Sequence, residues 1–341
     1  MKQNCPLRII PGRAVLLGKN RRSLTYPGKH GTIKALRTDG NEALFPINWM
    51  QNKEPVFPLC GTDRFCNACG FESKGGRTLN VTLITHTPFP EKVIAAAAKL
   101  CYSDSDVETL MDGLTDEKAE AFVTKLAGFG HESPVEHVSF TFGIEGVSRS
   151  FLAQVTRHRI ASFSVQSQRY VRKEQFVYVT PPAIAQHPDV LERYEQAMQT
   201  ALDAYNALAD QLEAQYYPEF LAAGCSEKAA RSKAEKKAIE DARYVLPNAC
   251  ETKMVMTMNV RSLRNFFRLR CCNRAQWEIR AVATEMLRLC CQVAPQLFET
   301  AGPACCCGAC PEGKMSCGQA QQVRETFAAL REEANHPSVH P

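Results

Sequence analysis

A strand-like pattern followed at once by a helix-like pattern constrains the fold more than any other feature of the chain. In Glu251–Asn259 apolar and polar residues alternate, which places Met254, Met256 and Met258 on one face, and such alternation is typical of a half-buried strand. From Ser262 to about Arg270 the apolar residues instead recur at intervals of three and four, as on the buried face of a helix. We therefore predict a strand that leads directly into a helix, each with one buried face.

The same two patterns predict the other elements. Short strands are expected at Val81–Thr85, Val138–Ile144 and Phe176–Thr180. Helices are expected, in chain order, at Pro88–Tyr102, Asp116–Gly128, Val147–His158, His187–Tyr217, Ser226–Tyr244 and Ala275–Val293. The helix at Ser226–Tyr244 is so rich in lysine and glutamate that we expect it to be largely solvated. No apolar run approaches the length of a membrane span, so we expect no membrane partner.

The positive charge of the chain is concentrated in its first 80 residues. They hold 13 Lys/Arg and 5 Asp/Glu, a net charge of +8, so the +5 of the whole chain leaves −3 for the rest. We therefore expect no nucleic-acid-binding surface across the body of the protein.

The sixteen cysteines include the neighbours Cys271-Cys272 and Cys290-Cys291 and the run Cys305–Cys307. Adjacent cysteines make a poor disulfide framework, and a chain of this length does not need one. We expect mostly free, buried thiols and a reducing, cytoplasmic location.

Residues 1–80 differ from the rest, because they are rich in Gly, Pro, Arg and Asn and have no sustained period. We expect a poorly ordered N-terminal extension. The alternative is a mis-assigned start, since Lys74-Gly75-Gly76 is what a ribosome-binding sequence would encode if it were translated. Cys60, Cys66 and Cys69 could begin a zinc site, but the usual paired spacing is missing.

The stretch from Arg157 to Tyr170 is dense in donors for anions. It holds three arginines, one histidine and three serines, and no acid. Arginine forks bind phosphate and carboxylate oxygens in a bidentate way, so a phosphorylated ligand is indicated. A basic surface loop or a nucleic-acid contact is the alternative. No glycine-rich phosphate loop and no G-x-S-x-G elbow accompany the stretch.

Two further places carry candidate site residues. Gly130–His137 holds two histidines, two glutamates and a serine just before a predicted strand. Arg270 falls on the same helical stripe as Leu263, Phe266 and Phe267. It either extends its guanidinium from the helix end into water or lies in a partly buried pocket that requires an anionic or polar partner.

These motifs together resemble one family. Arg157-His158-Arg159, seven residues, Ser167, one residue and Arg169 match the R-H-R-x7-S-x-R signature of the flavin-dependent thymidylate synthases. Other segments of the chain resemble that family in the same order, namely Gly130–His137, Ala242–Pro247, Asn259–Leu263, Asn265-Phe266, Leu269-Arg270 and Ala275–Ile279. The resemblance covers about residues 80–300. It implies a catalytic domain at 81–300, followed by a Cys-rich C-terminal tail at 301–341.

The resemblance implies an α+β fold, a sheet flanked by long helices, assembled as a homotetramer with shared active sites. It implies an FAD-dependent methyltransferase that converts dUMP to dTMP. Methylenetetrahydrofolate would donate the carbon, and NADPH would reduce the FAD that carries the hydride. No enzyme thiol would act as nucleophile, and no metal is predicted in the site.

The resemblance also implies roles for individual residues. Arg270 and His131 are the predicted catalytic residues. The predicted dUMP-binding residues are Gln154, Arg157, Val165, Gln166, Ser167, Gln168, Arg169, Arg243 and Arg270. The predicted FAD-binding residues are Ser133, Arg157, His158, Arg159, Val165, Asn259, Arg261 and Asn265.

The sequence departs from the family pattern at two positions, and rival interpretations remain open for the chain and for its tail. Val165 stands where several family members carry Glu or Gln, and Arg274 replaces a histidine found in some members. A basic nucleic-acid-binding protein, or a member that binds flavin without catalysis, would be the rival interpretations. The tail could form a metal clip through Cys307, Cys310 and Cys317, or be a flexible cysteine-rich segment.

Overall fold

The computed structural model describes residues 78–129, 131–169 and 177–335, and five short strands before residue 78 by their backbone alone. Contacts divide the chain into two units, Met1–Thr62 and Asp63–Pro341. In the first unit, two pairs of strands form antiparallel ladders. The expectations about disorder, a mis-assigned start and a zinc site in residues 1–80 concern residues that lie largely outside the described ones.

The strands are β1 Leu7–Ile10, β2 Arg13–Leu16, β3 Thr32–Leu36, β4 Glu42–Pro46, β5 Ser73–Lys74, β6 Asn80–His86, β7 Ser139–Ser148, β8 Ser162–Val165, β9 Tyr178–Val179 and β10 Glu251–Asn259. The helices are α1 Pro90–Leu100, α2 Val107–Asp112, α3 Asp116–Gly128, α4 Arg149–Val155, α5 Pro182–Ala185, α6 Pro188–Ala222, α7 Glu227–Ala242, α8 Val260–Arg270, α9 Trp277–Val293, α10 Pro295–Phe298 and α11 Ala320–Asn335. Short 3-10 turns lie at Pro134–His137, Arg243–Val245, Ala304–Cys306 and Gly313–Met315.

The second unit is built on a four-stranded open sheet with the order β6-β7-β10-β8. Every neighbouring pair in this sheet is antiparallel. The predicted strand β10 therefore lies inside the sheet, between β7 and β8, and it leads without a break into α8. The prediction of an α+β fold with a sheet flanked by helices is confirmed.

The core lies where the sheet meets helices α8 and α9. Met256 of β10 pairs with Phe142 of β7, and both side chains are fully buried. Leu263 and Phe266 of α8 are fully buried against the same cluster. Each such side chain stabilises the fold by roughly 1.5–3 kcal/mol, so the core fixes where both ends of α8 lie.

The helix predicted at Val147–His158 is shorter than expected. Helix α4 spans only Arg149–Val155, because Val147 and Ser148 belong to β7.

Two other helix predictions were inaccurate. Helix α6 continues through Pro218 to Ala222, past the expected end at Tyr217. Helix α7 is less solvated than expected, because Ala230, Ala234 and Ala238 form a buried stripe at four-residue spacing. Alanine carries little hydrophobic signal in a sequence pattern, but its small side chain lets two helices approach closely.

The residues after α10 pack on the body of the unit. Val323, Phe327 and Leu330 of α11 are buried in the same core cluster as α9. Among the described residues, no helix is both long and apolar enough to cross a membrane.

Candidate active site

Helix α4 is held at its start by a buried carboxylate. The side chain of Ser148 caps the helix by accepting a hydrogen bond from Phe151 N. Glu278 of α9 in turn accepts hydrogen bonds from Ser148 N and Ser148 Oγ, both at 2.6 Å. Burial raises the pKa of Glu278, although the two donors of Ser148 act in the opposite direction. This contact fixes the helix from which the stretch beginning at Arg157 emerges.

The end of α8 meets the residues that follow α4. Arg270 Nε donates a hydrogen bond to His158 Nε2 at 3.1 Å, and the His158 ring packs edge-on against Phe266 at 4.9 Å. Burial, followed by the charge of Arg157, lowers the pKa of Arg270. Arg270 is thus partly buried and lies beside a second guanidinium. This agrees with the interpretation from the sequence in which Arg270 lies in a partly buried pocket with a polar partner.

His158 accepts this bond in its neutral form. Burial, followed by the charge of Arg270, lowers the pKa of His158 below its ordinary value of 6.5. Protonation would turn the accepting nitrogen into a donor and break the bond with Arg270.

We expect His158 to destabilise the fold as the pH falls, because the unfolded chain then binds the proton more readily than the folded protein. The free energy of unfolding by urea, measured at about pH 7.5 and about pH 5.5, will show this dependence. In His158→Asn the decrease between the two pH values will be smaller than in the wild type. An equal decrease in both proteins would contradict the conclusion that His158 is held neutral in the folded protein.

A second group of site residues gathers at the end of α7. Arg169 Nη1 bonds to Glu240 Oε1 at 2.9 Å, with both side chains about half exposed (45% each). Arg243 Nε donates to the carbonyl of the same Glu240 at 3.0 Å. Ser167 Oγ accepts from Arg169 N at 3.2 Å, which closes the turn. Three predicted dUMP-binding residues therefore lie together.

The residues between the two groups follow the edge of the sheet. Val165 pairs with Met254 and packs against the core, so its side chain is engaged in packing. Gln166 N donates to Lys253 O at 2.9 Å. Gln168 Nε2 lies 3.6 Å from Cys250 Sγ. Gln154 stays on α4, where its amide donates to Ser150 O.

A third group lies at the start of α8. Asn259 caps the helix by accepting from Ser262 N at 2.9 Å. Arg261 Nε is 3.1 Å from Glu132 Oε2, and Arg261 Nη1 also pairs with Glu136. These ion pairs join α8 to Glu136 of the 3-10 turn at Pro134–His137 and to Glu132 just before it. The sequence had marked both acids as site candidates.

The remaining residues predicted to bind FAD or to act in catalysis are exposed, and most of them lie close to this third group in the sequence. Ser133 precedes the 3-10 turn, and its carbonyl accepts from Glu136 N. His131 is exposed, with its ring 6.2 Å from that of Phe129. Asn265 accepts a hydrogen bond from Arg268, and Arg159 is exposed.

The chemistry of these groups suits FAD and a nucleotide. Exposed Arg157 and Arg159 offer planar forks for phosphate oxygens. Arg270 carries a positive charge that its surroundings disfavour, and an anionic partner would relieve that cost. The residues present therefore fit a group that carries phosphates and a polar ring.

Comparison with known proteins decides the family. The family model described as "Thymidylate synthase complementing protein" matches residues 82–296. A flavin-dependent thymidylate synthase of Clostridium tetani is 53% identical over 254 residues, which cover 74% of this chain and 99% of that protein. The chain belongs to the flavin-dependent thymidylate synthases. The predicted family, the predicted activity as an FAD-dependent thymidylate synthase and the predicted cofactor are thereby confirmed.

Further relatives agree with this membership. A flavin-dependent thymidylate synthase of Geobacter sulfurreducens is 46% identical over 254 residues, with 74% of this chain and 99% of that protein covered. Among solved structures, a UMP/dUMP methylase of Streptomyces cacaoi with bound 5-Br dUMP has a TM-score of 0.52 at 23% identity. The likeness covers 66% of this chain and 96% of that one, and it shows the shared fold.

Sequence reasoning missed two residues that position the site. Glu240, near the end of α7, binds Arg169, and its carbonyl accepts a hydrogen bond from Arg243, which begins the 3-10 turn after α7. Nothing in the sequence pointed to its contact with Arg169. Glu278 was recognised as part of a motif, but nothing in the sequence pointed to its partner 130 residues away.

Proposed function

We propose that this protein forms dTMP from dUMP in a site whose nucleotide half is the group at the end of α7 and whose flavin half lies along α8. The observation that carries this proposal is the course of residues 157–169. This stretch begins beside Arg270, where His158 bonds to it, and ends at Glu240, beside Arg243. One continuous segment therefore links both halves.

In the nucleotide half, Ser167, Arg169 and Arg243 bind the phosphate of dUMP. The phosphate is a dianion at neutral pH, and two guanidiniums with a hydroxyl match its charge and geometry. Glu240 holds Arg169 in place before the nucleotide arrives. Gln154, Val165, Gln166 and Gln168 line the path toward the base, Val165 through its backbone.

Arg270 acts at the base of the nucleotide. Negative charge develops on the uracil ring during the reaction, and a guanidinium fixed against the ring stabilises it. The bond to neutral His158 orients Arg270 without neutralising it. The adjacent Arg157 adds a second positive charge and is shared between nucleotide and flavin.

The flavin half would use Ser133, Arg157, His158, Arg159, Asn259, Arg261 and Asn265, with His131 near the reacting centre. Bound FAD supplies the hydride that dTMP formation requires. The residues along α8 orient this group, and the ion pairs of Arg261 with Glu132 and Glu136 hold the turn that carries Ser133. NADPH and methylenetetrahydrofolate are the co-substrates.

We further propose a homotetramer with shared active sites in the cytoplasm. In one chain, the hydrogen bonds gather the site residues into three groups, at the start of α8, at its end and at the end of α7. The eleven residues of α8 place its two ends about 15 Å apart. Residues of a second subunit would complete each group. The free thiols of the described residues favour a reducing compartment.

The absorbance spectrum and NADPH oxidation of the purified protein test this function. We expect a yellow protein, at least after addition of FAD, that oxidises NADPH faster when dUMP is present. A colourless protein that binds DNA in a salt-dependent way would instead support the nucleic-acid-binding interpretation. Flavin binding without any effect of dUMP would support a non-catalytic family member.

Replacing Arg169 by alanine will raise the KM for dUMP about 10- to 100-fold, since a charge-assisted bond to phosphate is lost. FAD binding will be unchanged. Steady-state kinetics with varied dUMP measure the effect. Glu240→Gln is the matched comparison, because its amide oxygen can still accept a hydrogen bond from Arg169 and the guanidinium remains for phosphate. KM will therefore rise much less than in Arg169→Ala. An unchanged KM in Arg169→Ala would exclude the phosphate role.

A further inference from the structure

We propose that the tail segment 304–315 forms one wall of the pocket that receives the uracil base of dUMP, and that Arg274 holds this wall in place. The inference rests on the proposed function, because it takes Arg270 to act at the base. It adds to the site a chain segment and a positioning residue to which the family resemblance gave no role.

A cavity of about 190 Å³ lies between the end of α8 and the tail segment. Arg270 and Arg274 line it on the side of the helix, and Cys310, Pro311 and Glu312 line it on the side of the tail. Pockets for whole ligands usually begin at about 300 Å³. This cavity therefore suits a single ring rather than a whole nucleotide, and the guanidinium that we place at the uracil shares it with the tail.

Packing fixes the tail segment on both sides. At its start, Cys305 is buried in the core cluster. Beyond its end, Val323 and Phe327 of α11 are buried in the same cluster. Arg324 of α11 also donates hydrogen bonds to the carbonyls of Cys305 at 2.8 Å and Gly308 at 2.9 Å. The segment is thus held at two points by the body of the unit, as a wall of a pocket must be.

Polar contacts hold the end of the tail segment against the residues that follow α8. Arg274 Nη1 donates a hydrogen bond to the carbonyl of Met315. The neighbouring Asn273 Nδ2 donates to Gln319 Oε1 at 2.9 Å. Because residues 311–318 are exposed, few apolar contacts assist these bonds. The arginine that departs from the family pattern at position 274 is therefore the residue that ties the wall to the helix carrying Arg270.

The lining of the cavity suits a pyrimidine ring with two carbonyl oxygens. Cys310 and Pro311 offer apolar surface for the face of the ring. Arg270 offers donors for a carbonyl oxygen at its edge. The charged residues around the cavity are three arginines and one glutamate, a net charge of +2. This charge favours the negative charge that develops on the uracil ring during the reaction.

The cysteines of this region can report whether the cavity is occupied. Cys272 and Cys310 line it, and both are partly exposed. Cys307, in the same tail segment, is exposed, and its thiol bonds to Thr300 O at 3.0 Å instead of lining the cavity. Among the described residues, no group of three His, Cys, Asp or Glu side chains could hold a metal ion, so the metal clip considered from the sequence has no support there.

Alkylation of these thiols in the full-length, FAD-loaded protein tests the inference. The protein is treated with iodoacetamide with and without dUMP, and the labelling rate of each cysteine is read by mass spectrometry of its peptide. Titration calorimetry measures the binding of dUMP. At about ten times its Kd, dUMP leaves about one tenth of the sites free, so it will slow the labelling of Cys272 and Cys310 about tenfold. Cys307, and the exposed Cys101 at the end of α1, will be labelled at an unchanged rate.

Replacing Arg274 by glutamine will release the wall. The KM for dUMP will rise about tenfold, as expected when one charge-assisted hydrogen bond is lost, and kcat will change much less. Without dUMP, Cys310 will be labelled faster and trypsin will cleave faster after the exposed Lys314, with FAD still bound. Arg231→Gln is the matched control, because Arg231 lies on α7 and contacts the ring of Tyr217 at 5.5 Å. It will change none of these quantities.

The outcomes separate this inference from the proposed function. Binding of dUMP without slower labelling of Cys310 would overturn the inference and leave the proposed function standing. Equal protection of Cys307 would overturn it as well, and so would protection of Cys310 by deoxyribose 5-phosphate, which lacks the base. An unchanged KM together with unchanged cleavage after Lys314 in Arg274→Gln would exclude the role of Arg274. Absence of any dUMP binding would overturn both the inference and the proposed function.

Discussion

Replacing Arg270 by lysine will lower the kcat for dTMP formation by about 100-fold, and the protein will keep its FAD. A loss of this size is typical when one hydrogen-bond donor to the charge that develops in the transition state is removed. Lysine keeps the positive charge, but it is a point charge that cannot reproduce a planar contact with two donors. It also loses the geometry of the bond from Arg270 Nε to His158 Nε2. Single-turnover measurements with pre-reduced enzyme will place the loss on the chemical step.

Arg268→Lys is the control for this experiment. Arg268 lies on the same helix, is exposed and bonds to the side chain of Asn265. Its replacement will change kcat by less than about threefold, as expected of exposed contacts. Loss of FAD in Arg270→Lys with normal affinity for dUMP would contradict the division into a nucleotide half and a flavin half.

Replacing Glu278 by alanine will lower the free energy of unfolding by about 2–4 kcal/mol, because it leaves a buried backbone N–H without an acceptor and opens a small cavity. The N–H belongs to Ser148, whose side chain caps α4. Since α4 leads into Arg157 and His158, the same variant will bind both ligands more weakly. Urea unfolding followed by circular dichroism measures the loss of stability.

The pH dependence of Glu278→Gln adds a second readout. Burial raises the pKa of Glu278 in the folded protein, so the folded state holds the proton more tightly than the unfolded state. Glu278 therefore lowers stability as the pH rises through the range above its ordinary value of 4.5. This decrease will disappear in the glutamine variant, which cannot titrate.

Glu285→Ala is the matched control on the same helix. Glu285 forms a partly exposed ion pair with Arg288 one turn away. Its removal will cost less than about 1 kcal/mol. An equal loss of stability in Glu285→Ala and Glu278→Ala would mean that the contact with Ser148 has no special role.

Much of the fold followed from periodicity. The alternation in Glu251–Asn259 predicted both ends of β10 correctly, because the buried methionines of one face recur at every second residue. The stripe on α8 left two positions open for Arg270, and the structure shows the partly buried one. Helix ends were harder to predict, since Pro218 would ordinarily end a helix and α6 continues past it.

The site was predictable only as far as its residues lie within motifs. The pairing of Arg169 with Glu240 joins positions 71 residues apart, and that of Ser148 with Glu278 joins positions 130 apart. No local pattern carries such contacts. Cys271 and Cys305 are buried, whereas Cys272 is partly exposed and Cys307 is exposed. This difference in burial depends on which way each side chain faces once the tail has packed.

Formation of dTMP by the FAD-loaded protein tests the central claim most directly. The assay is run without oxygen, with dUMP, methylenetetrahydrofolate and NADPH, and the nucleotides are separated and quantified. We predict dTMP in the complete mixture and none when dUMP, the folate or the reductant is omitted, or when the protein has been stripped of its FAD. Absence of dTMP from the complete mixture, with protein that demonstrably holds FAD and binds dUMP, would contradict the account.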